Sequence, residues 1–488
     1  MAKIGYSKSP RRRRSYSGAD GGRLFSDWIT SNNSADAELY GSLPTLRSRC
    51  RALERENPYF ARWLAELEAN VLGDKGIRLT MDVRTKRGQK DRRASRLIED
   101  AWDQFSKRGE FTACRQFDRL SWARIALRSI ARDGDCLVEL VRGYDRNSYS
   151  FAVQAWEADH VDCKYNENNI RMGVESDDWG QPTAYHVWRR HPGDNLLGYV
   201  GSSDKRRRII AENGERTSGS SALLPFVKRR FSQSRGEPWG SVAIRQLHQL
   251  GSYEEAALVS ARVGASKMGF LFEAGDEVGG ADSFQQRRTM TAEPGAIEVI
   301  PVGEPGEVQF QSWDPNDPHG DMPGFVKTML RGVASGLSAS YNIISNDLEG
   351  VSFSSIRAGT LSERELWKLM QHWWVEAVEK PVFCAWLDWA VATGAIPLPY
   401  SEINRWMAPV MEGRRWDYVN PLQDIQAIEK AIELGLTSRQ RENRKRGQTF
   451  AEVVDEVAED NALAESQGVA FASGDPEPEQ EPMPAADE

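Results

Sequence analysis

Apolar positions recur along this chain in two rhythms, one helical and one extended, and the changes from one to the other mark its parts. Residues 45 to 72 (TLRSRCRALERENPYFARWLAELEANVL) repeat apolar side chains every three or four positions, as a helix with one buried face does. Pro58 splits that run: it disfavours the helical conformation at Asn57 and suits a first helical turn, so a second helix is expected from about Tyr59. Gly73 and Gly76 close it before the extended GIRLTM. Leu97 to Phe105 and Phe117 to Ala131 read as further helices, whereas DCLVEL, FAVQAWEAD and AYHVWRR read as strands with Asp and Gly turns between them. A Gly-rich, charge-rich link from Gly198 to Ser221 follows.

The second half changes character. Residues 241 to 267 (SVAIRQLHQLGSYEEAALVSARVGASK) predict one helix of 27 residues, rich in small side chains and about 40 Å long. GFLFEA, AIEVIPV and EVQFQSW then read as short strands separated by Gly, Pro and Asp. A second helix, PGFVKTMLRGVASGLSASY, rises to Tyr341 and ends in the loop NIISNDLEGVSFSS. Two long helices flanking a small β section suggest a stalk with a tip. From Ser355 to Ala392 a very long helical region carries Trp367, Trp373, Trp374, Trp386 and Trp389 and is interrupted at Pro381. PLQDIQAIEKAIELGLTSRQRENRKRG adds a helix, a turn at Gly435 and a second helix opened by Thr and Ser. The fold class expected is α+β, in several parts.

Charge refines this picture. The 488 residues hold 63 Lys and Arg against 71 Asp and Glu, a net charge of −8, which excludes a uniformly basic, tight binder of nucleic acid. The acidity is local, however. After Arg446 there are twelve acids and no base; without them 59 acids face 63 bases, a body of +4. From Ser473 the chain alternates Pro with carboxylates, which prevents helix and core formation. The opening 40 residues, with Arg11 to Arg14, are expected to be a disordered basic arm, read either as a phosphate-contacting segment or as a solvated tail. No segment approaches the roughly 20 apolar residues of a membrane span, and Met1 to Ser7 has no signal-peptide character. Cys50, Cys114, Cys136, Cys163 and Cys384 form no CxxC pair, which argues against a disulfide framework or a zinc site and for synthesis in a reducing cytoplasm.

Catalytic motifs are not found. The six histidines (His160, His186, His191, His248, His319, His372) lack HExxH or HxH spacing, and there is no GxxxxGK[ST] loop. GLSAS at 336 to 340 lacks the second glycine of a nucleophile elbow and reads as small packing residues in a helix. ARDGDCLVEL brings Asp133, Asp135 and Glu139 close in sequence; a magnesium site is one reading, and turn chemistry feeding a strand is the stronger one. The tryptophans could form a ligand platform, but at helical spacing packing is the better reading. KRRR at 205 to 208 and KRR at 228 to 230 read as solvated runs sooner than as phosphate contacts. No cofactor, metal or catalytic residue is expected.

The order of elements nevertheless resembles the lambda-type portal proteins of tailed bacteriophages over most of residues 45 to 450. The resemblance rests on NPYFARWLAELEANVLGDKGIRL at 57 to 79, ARDGDCLVEL at 131 to 140 and RFSQSRGEPWGSVAIRQLHQLGSYEEAALVSARVGASKMGFL at 230 to 271. PGAIEVIPVGEPGEVQF at 294 to 310 and DLEGVSFSSIRAGTLSE at 347 to 363, an Asp followed by Phe-Ser-Ser-x-Arg, complete it.

What the resemblance implies is a ring of about twelve copies at one capsid vertex, through which double-stranded DNA is packaged and later leaves. It implies a wing at 41 to 240, a first stem helix at 241 to 267, a clip at 268 to 316 and a second stem helix at 317 to 341. A tunnel loop at 342 to 354, a long helix at 355 to 400 returning to the wing, a helical crown at 401 to 446 and the acidic tail at 447 to 488 follow. Partners would be the terminase motor, then head completion or adaptor proteins, with capsid and scaffold proteins; the protein would work in the virion after assembly in the host cytoplasm. Ala256, Ala257, Ser260, Ala261, Gly264 and Ala265 would allow close approach between neighbouring stem helices. The loop residues Asn346, Asp347, Leu348, Glu349, Gly350, Val351, Ser352 and Phe353 include no cation, so they can touch a duplex without gripping it. On this reading Asp347 and Glu349 repel the DNA backbone, Val351 and Phe353 form a soft constriction, and Lys267, Lys327 and Arg331 make a few weak phosphate contacts. The competing classes are a packaging enzyme subunit, such as a terminase or nuclease, and another structural virion or tail protein.

Overall fold

The computed structural model describes residues 30, 32–194, 196, 206–214, 219–265, 269–274, 297–302, 309–312, 322–349, 352–416, 421–445 and 450–468. Its first layer is helical: α1 (Ala35–Glu56), α2 (Pro58–Val71), α3 (Arg92–Phe105) and α4 (Arg119–Asp133). Asn57 ends α1 and caps α2, accepting a hydrogen bond from the Phe60 amide at 3.0 Å, with Pro58 in the first turn where its missing N–H costs nothing. α1 starts earlier than its apolar pattern suggested, because Ser34 caps it and Pro44 is tolerated within it; Ala35–Tyr40, expected in the arm, are thus helical.

These helices pack on a seven-stranded sheet of β2 (Leu137–Arg142), β3 (Phe151–Trp156), β4 (Ile170–Arg171), β5 (Val174–Ser176), β6 (Pro182–Val187), β7 (Arg207–Ala211) and β8 (Ser221–Leu223). Strand order is β3-β2-β8-β7-β6-β5-β4, antiparallel apart from the β7/β8 pair. β1 (Arg78–Met81) stands apart from it. The basic run at 205–208 ends inside β7, where Arg207 and Arg208 pair with Glu139 and Glu175. These pairs explain a basic run without any phosphate.

The stalk and tip follow. α5 (Ile244–Ala265) is shorter than the 241 to 267 expected, because Ser241–Ala243 form a turn; 266–268 lie outside the described residues. The tip has strands β9 (Gly269–Ala274), β10 (Ile297–Val302) and β11 (Gln309–Ser312), with β9 central, parallel to β10 and antiparallel to β11. α6 (Met322–Gly336) packs on α5, with Leu247, Leu250 and Ala257 buried on one helix and Leu330, Val333 and Ala334 on the other, and with the Tyr253 and Phe325 rings 4.5 Å apart. α6 stops short of Tyr341. Ser338 takes a left-handed conformation (φ 53°), and the Ala339 and Ser338 amides turn back to the carbonyls of Ala334 and Ser335. GLSAS is therefore a helix terminus, not a stretch of packing residues within a helix, and Ser338 is exposed.

α7 (Tyr341–Ser345) and a short loop lead into α8 (Phe353–Trp374), a π-helical turn (Val375–Glu379) and α9 (Lys380–Ala392). The wide turn falls just before Pro381, at the interruption the sequence marked, and it carries Glu379 into the core. There Glu379 accepts from Arg119 at 2.9 Å and from the Trp374 indole at 3.1 Å. Trp386 and Phe383 of α9 join Trp102, Phe105, Tyr149 and Phe151 in one aromatic cluster, Trp386 stacking on Phe105 at 5.4 Å. Trp367, Trp374 and Trp386 are buried, and Trp373 and Trp389 half-buried, so these rings pack the core.

The stretch expected to be a helical crown begins otherwise. α10 (Ile403–Trp406) is one turn, and β12 (Pro409–Glu412) pairs antiparallel with β1, Arg78 opposite Glu412. Helices α11 (Pro421–Glu433), α12 (Arg439–Lys445) and α13 (Phe450–Ser466) follow, so the first part of the acidic tail is helical. Among the described residues no helix is long and apolar enough to cross a membrane.

Candidate functional site

Two places concentrate polar side chains. The first is a buried ionic hub where α4 ends and β2 begins. Asp135, fully buried, accepts from Arg47 at 3.0 Å, from Arg235 at 2.8 and 3.0 Å, and from the Gly236 amide at 3.0 Å. Arg235 spends its remaining donors on the carbonyls of Ala158, Val161 and Met172. Burial alone would push the Asp135 carboxyl up; Arg235 and Arg47 pull it below the usual carboxylate range. Burial draws Arg47 down, while the bonds to Asp135 hold Arg235 up despite its own burial.

Asp133 is taken by Arg51 at 2.8 Å and Arg132 at 2.7 Å. Glu139 lies elsewhere, bound by the Arg207 guanidinium and the Trp156 indole. The three carboxylates of ARDGDCLVEL therefore do not converge, and arginines already neutralise each of them. The turn reading is right for Gly134 (φ 98°) but missed that both aspartates are buried ion-pair partners.

The junction is close-packed. A Cβ on Gly134 would lie 2.4 Å from the Gly236 carbonyl oxygen, and one on Gly240 would lie 2.4 Å from the Phe60 ring. Arg124, Arg128 and Arg132, spaced every four residues along α4, reach Glu68 on α2 and Glu54 on α1.

Nearby, Glu157, Asp159 and His191 bring three ligand-type atoms within 4.8 Å of one another. His191 Nδ1 accepts the Gly193 amide at 3.0 Å, so in the neutral ring the proton sits on Nε2, facing the two carboxylates. Arg51 and Arg47 already bind Asp159. The cluster offers no imidazole lone pair to a metal.

The second place is the root of the loop after α7. Asp347 accepts from the Tyr341 hydroxyl at 2.7 Å and from the Glu349 amide at 2.9 Å, and Lys327 of α6 stands 3.3 Å away. Lys327 and Arg331, one turn apart on α6, each lie 5.7 Å from the Tyr341 ring centroid. The Tyr341 hydroxyl, then the Glu349 amide and Lys327, hold Asp347 below its ordinary value. Burial, then Asp347, raises the Tyr341 phenol. Asn346 takes the left-handed conformation (φ 54°) that ends α7, and Leu348 and Glu349 are exposed.

Gly350 and Val351 lie outside the described residues, as does Lys267; Ser352 is exposed, and Phe353 is the first residue of α8 and not part of the loop. Asp347 and Lys327, expected to act separately on a duplex, are instead partners. On α5, Ala257 is buried within the chain, Ser260 is half-buried, and Ala256 and Ala261 are exposed beside Leu258 and Val259; Gly264 and Ala265 are helical, with side chains outside the description. Leu258 and Val259 are thus large apolar side chains exposed among these small residues.

Comparison with known proteins accounts for this architecture. The family model described as "Phage portal protein, lambda family" matches residues 21–371. A "Probable portal protein" of Halomonas phage phiHAP-1 is 30% identical over 466 residues, covering 93% of this chain and 87% of the relative. "Portal protein B" of Escherichia phage lambda is 23% identical, covering 89% of this chain and 86% of its own. Among solved structures, a chain in the neck of an empty GTA particle aligns with TM-score 0.44 at 12% identity over 82% of this chain and 93% of its own. The chain belongs to the lambda family of phage portal proteins, virion subunits that assemble into a ring and form the channel at a capsid vertex.

Proposed function

We propose that twelve copies of this chain guide double-stranded DNA without gripping it, and that each loop at 346 to 352 borders the passage on a root that cancels its own charge. The observation that carries this is the Asp347, Lys327 and Tyr341 cluster. Duplex DNA presents one negative charge per ~1.7 Å of axis, and each cation that neutralises a phosphate adds affinity and slows sliding. Pairing Lys327 with Asp347 removes one such cation and one repelling carboxylate per subunit. Glu349 is left as the loop's repelling group and Arg331 as the candidate for weak phosphate contact.

In the same proposal α5 and α6 are the stem, and the β9 to β11 tip is the clip that meets the terminase motor and later the head completion proteins. Residues 41 to 240 act as the wing, the segment from 355 to 400 leads back to it, and residues 401 to 446 form the crown, with α11 and α12 among its helices. Assembly with capsid and scaffold proteins takes place in the host cytoplasm, and the chain carries out no chemistry of its own. The hub supports this division, since its charges are internally matched and serve rigidity.

The test is D347K/E349K in the intact phage. Two added cations per loop are expected to stall packaging or ejection, and normal rates for both would refute the proposal.

A further inference from the structure

Residues 84 to 96, RTKRGQKDRRASR, hold seven bases and one acid, spread over the turn after β1 and the first turns of α3. Part of this charge is used inside the fold: Arg84 pairs with Asp82 at 3.0 Å, Lys86 with Glu402 at 3.0 Å, and Asp91 with Arg405. The remaining five, Arg87, Lys90, Arg92, Arg93 and Arg96, are exposed and make no ion pair among the described residues.

Their position is electrostatically unfavourable. Arg92 and Arg93 stand in the first turn of α3, where the capping Asp91 is already taken by the Ala94 amide and Arg405 and the other exposed backbone amides concentrate positive charge. Core packing does not require them, because α3 is held through Ala94, Ile98, Trp102 and Phe105. The surface fits an extended polyanion.

The chain carries one. Beyond Gly468 it holds six acids and no base, and Glu477, Glu479 and Glu481 alternate with other residues in a Pro-rich stretch. We propose that the acidic end of this chain, residues 475 to 488, docks on the basic surface formed by Arg87, Lys90, Arg92, Arg93 and Arg96. Six carboxylates meet five cations, and the acidic partner is present in every subunit. The tail is favoured over DNA because it is always present and matches the charge. Docking also covers cations that would otherwise hold the DNA a portal must release.

Two measurements on the full-length assembled protein test this. Carbodiimide coupling of lysine to carboxylate, read by mass spectrometry, is expected to join Lys90 to carboxylates between 475 and 488, and the surface variant R87E/R92E/R93E is expected to lose that product. Neutralising the tail (D475N/E477Q/E479Q/E481Q/D487N/E488Q) is expected to tighten binding of a short duplex at low salt by about tenfold or more, an effect erased when the surface variant is added. Tail cross-links confined to other sites would overturn the proposal. So would duplex binding through the basic surface that is equally tight with the charged and the neutral tail, an outcome that makes the surface a DNA site.

Discussion

Replacing Asp135 by Asn tests the hub most directly, because it keeps the shape and removes the charge. The wild-type carboxylate answers two guanidiniums that are at most 1% exposed and accepts a fourth bond from the Gly236 amide. In the variant one of its two acceptor oxygens becomes an NH2 donor aimed at arginines. Arg235 is then left without its ion-pair partner and Arg47 keeps only Asp159 at 3.5 Å, and breaking a buried pair in this way costs about 3–5 kcal/mol. For a cooperative unit of the size of the α1 to β8 part, that is a fall in Tm of about 10 °C. The sign with pH follows from the direction of the shift. Asp135 is held below the ordinary carboxylate value when folded, so its contribution is present above the unfolded value of about 3.9 and is lost as pH falls through the folded value. Urea midpoints of wild type and D135N should therefore differ by a constant amount between about pH 5 and pH 7, begin to narrow near pH 4, and meet only below the folded value. A gap under about 1 kcal/mol at pH 7, or one that does not narrow in acid, would refute the account of the hub.

Three further expectations follow from the packing and the loop root. Trp386→Ala removes a fully buried ring from the aromatic cluster and should cost about 3–5 kcal/mol in denaturant titration. Val259→Glu places a charge on the exposed face of α5 and should leave the subunit folded by circular dichroism while negative-stain images lose rings in favour of single subunits. Lys327→Met should speed amide exchange at residues 346 to 349 and leave exchange in α8 unchanged; no change at the loop would show that Lys327 does not restrain it.

Much of the secondary structure was legible because local chemistry decided it. Asn57 and Pro58 mark a cap and a first turn wherever they fall, and Pro381 forces the helix ladder to yield, here through a π turn. The end of α6 was misread because its stop is a serine, not a glycine, in the left-handed position, a choice the sequence pattern does not signal. Pairings over long separations were illegible for a different reason. β1 meets β12 across more than 300 residues, and Arg47, Asp135 and Arg235 meet across 88 and 100 residues, although none of these positions has an unusual neighbour in the chain. A charge reads as solvated until the fold shows what surrounds it. The pairing of Asp347 with Lys327 was illegible for the same reason, because the partner lies on another helix.

The segments that carry the family resemblance, ARDGDC and SRGEPWG, turn out to meet each other. Gly134 and Gly236 cross at backbone contact, Arg235 closes on Asp135, the Trp239 amide donates to the Ala131 carbonyl at 2.9 Å, and Gly240 leaves room for Phe60. Immediately after this knot the chain enters α5, which Tyr59 of α2 also reaches through Glu254 at 3.2 Å. The knot thus sets the direction in which α5 leaves the α+β body. In a ring closed by one repeated interface, an angular error in a subunit is multiplied by the number of copies before the ring meets itself. A subunit in which α5 pivoted by a few degrees would make an open spiral instead of a closed ring. Backbone contact between two glycines and a fully buried ion pair are means of holding one angle, since neither adjusts without a large energetic cost. Two segments that carry the resemblance in sequence thus converge, across about 100 residues, on the one junction where the α+β body passes into α5, and a close-packed junction of this kind is where a small side chain and a buried charge are needed most.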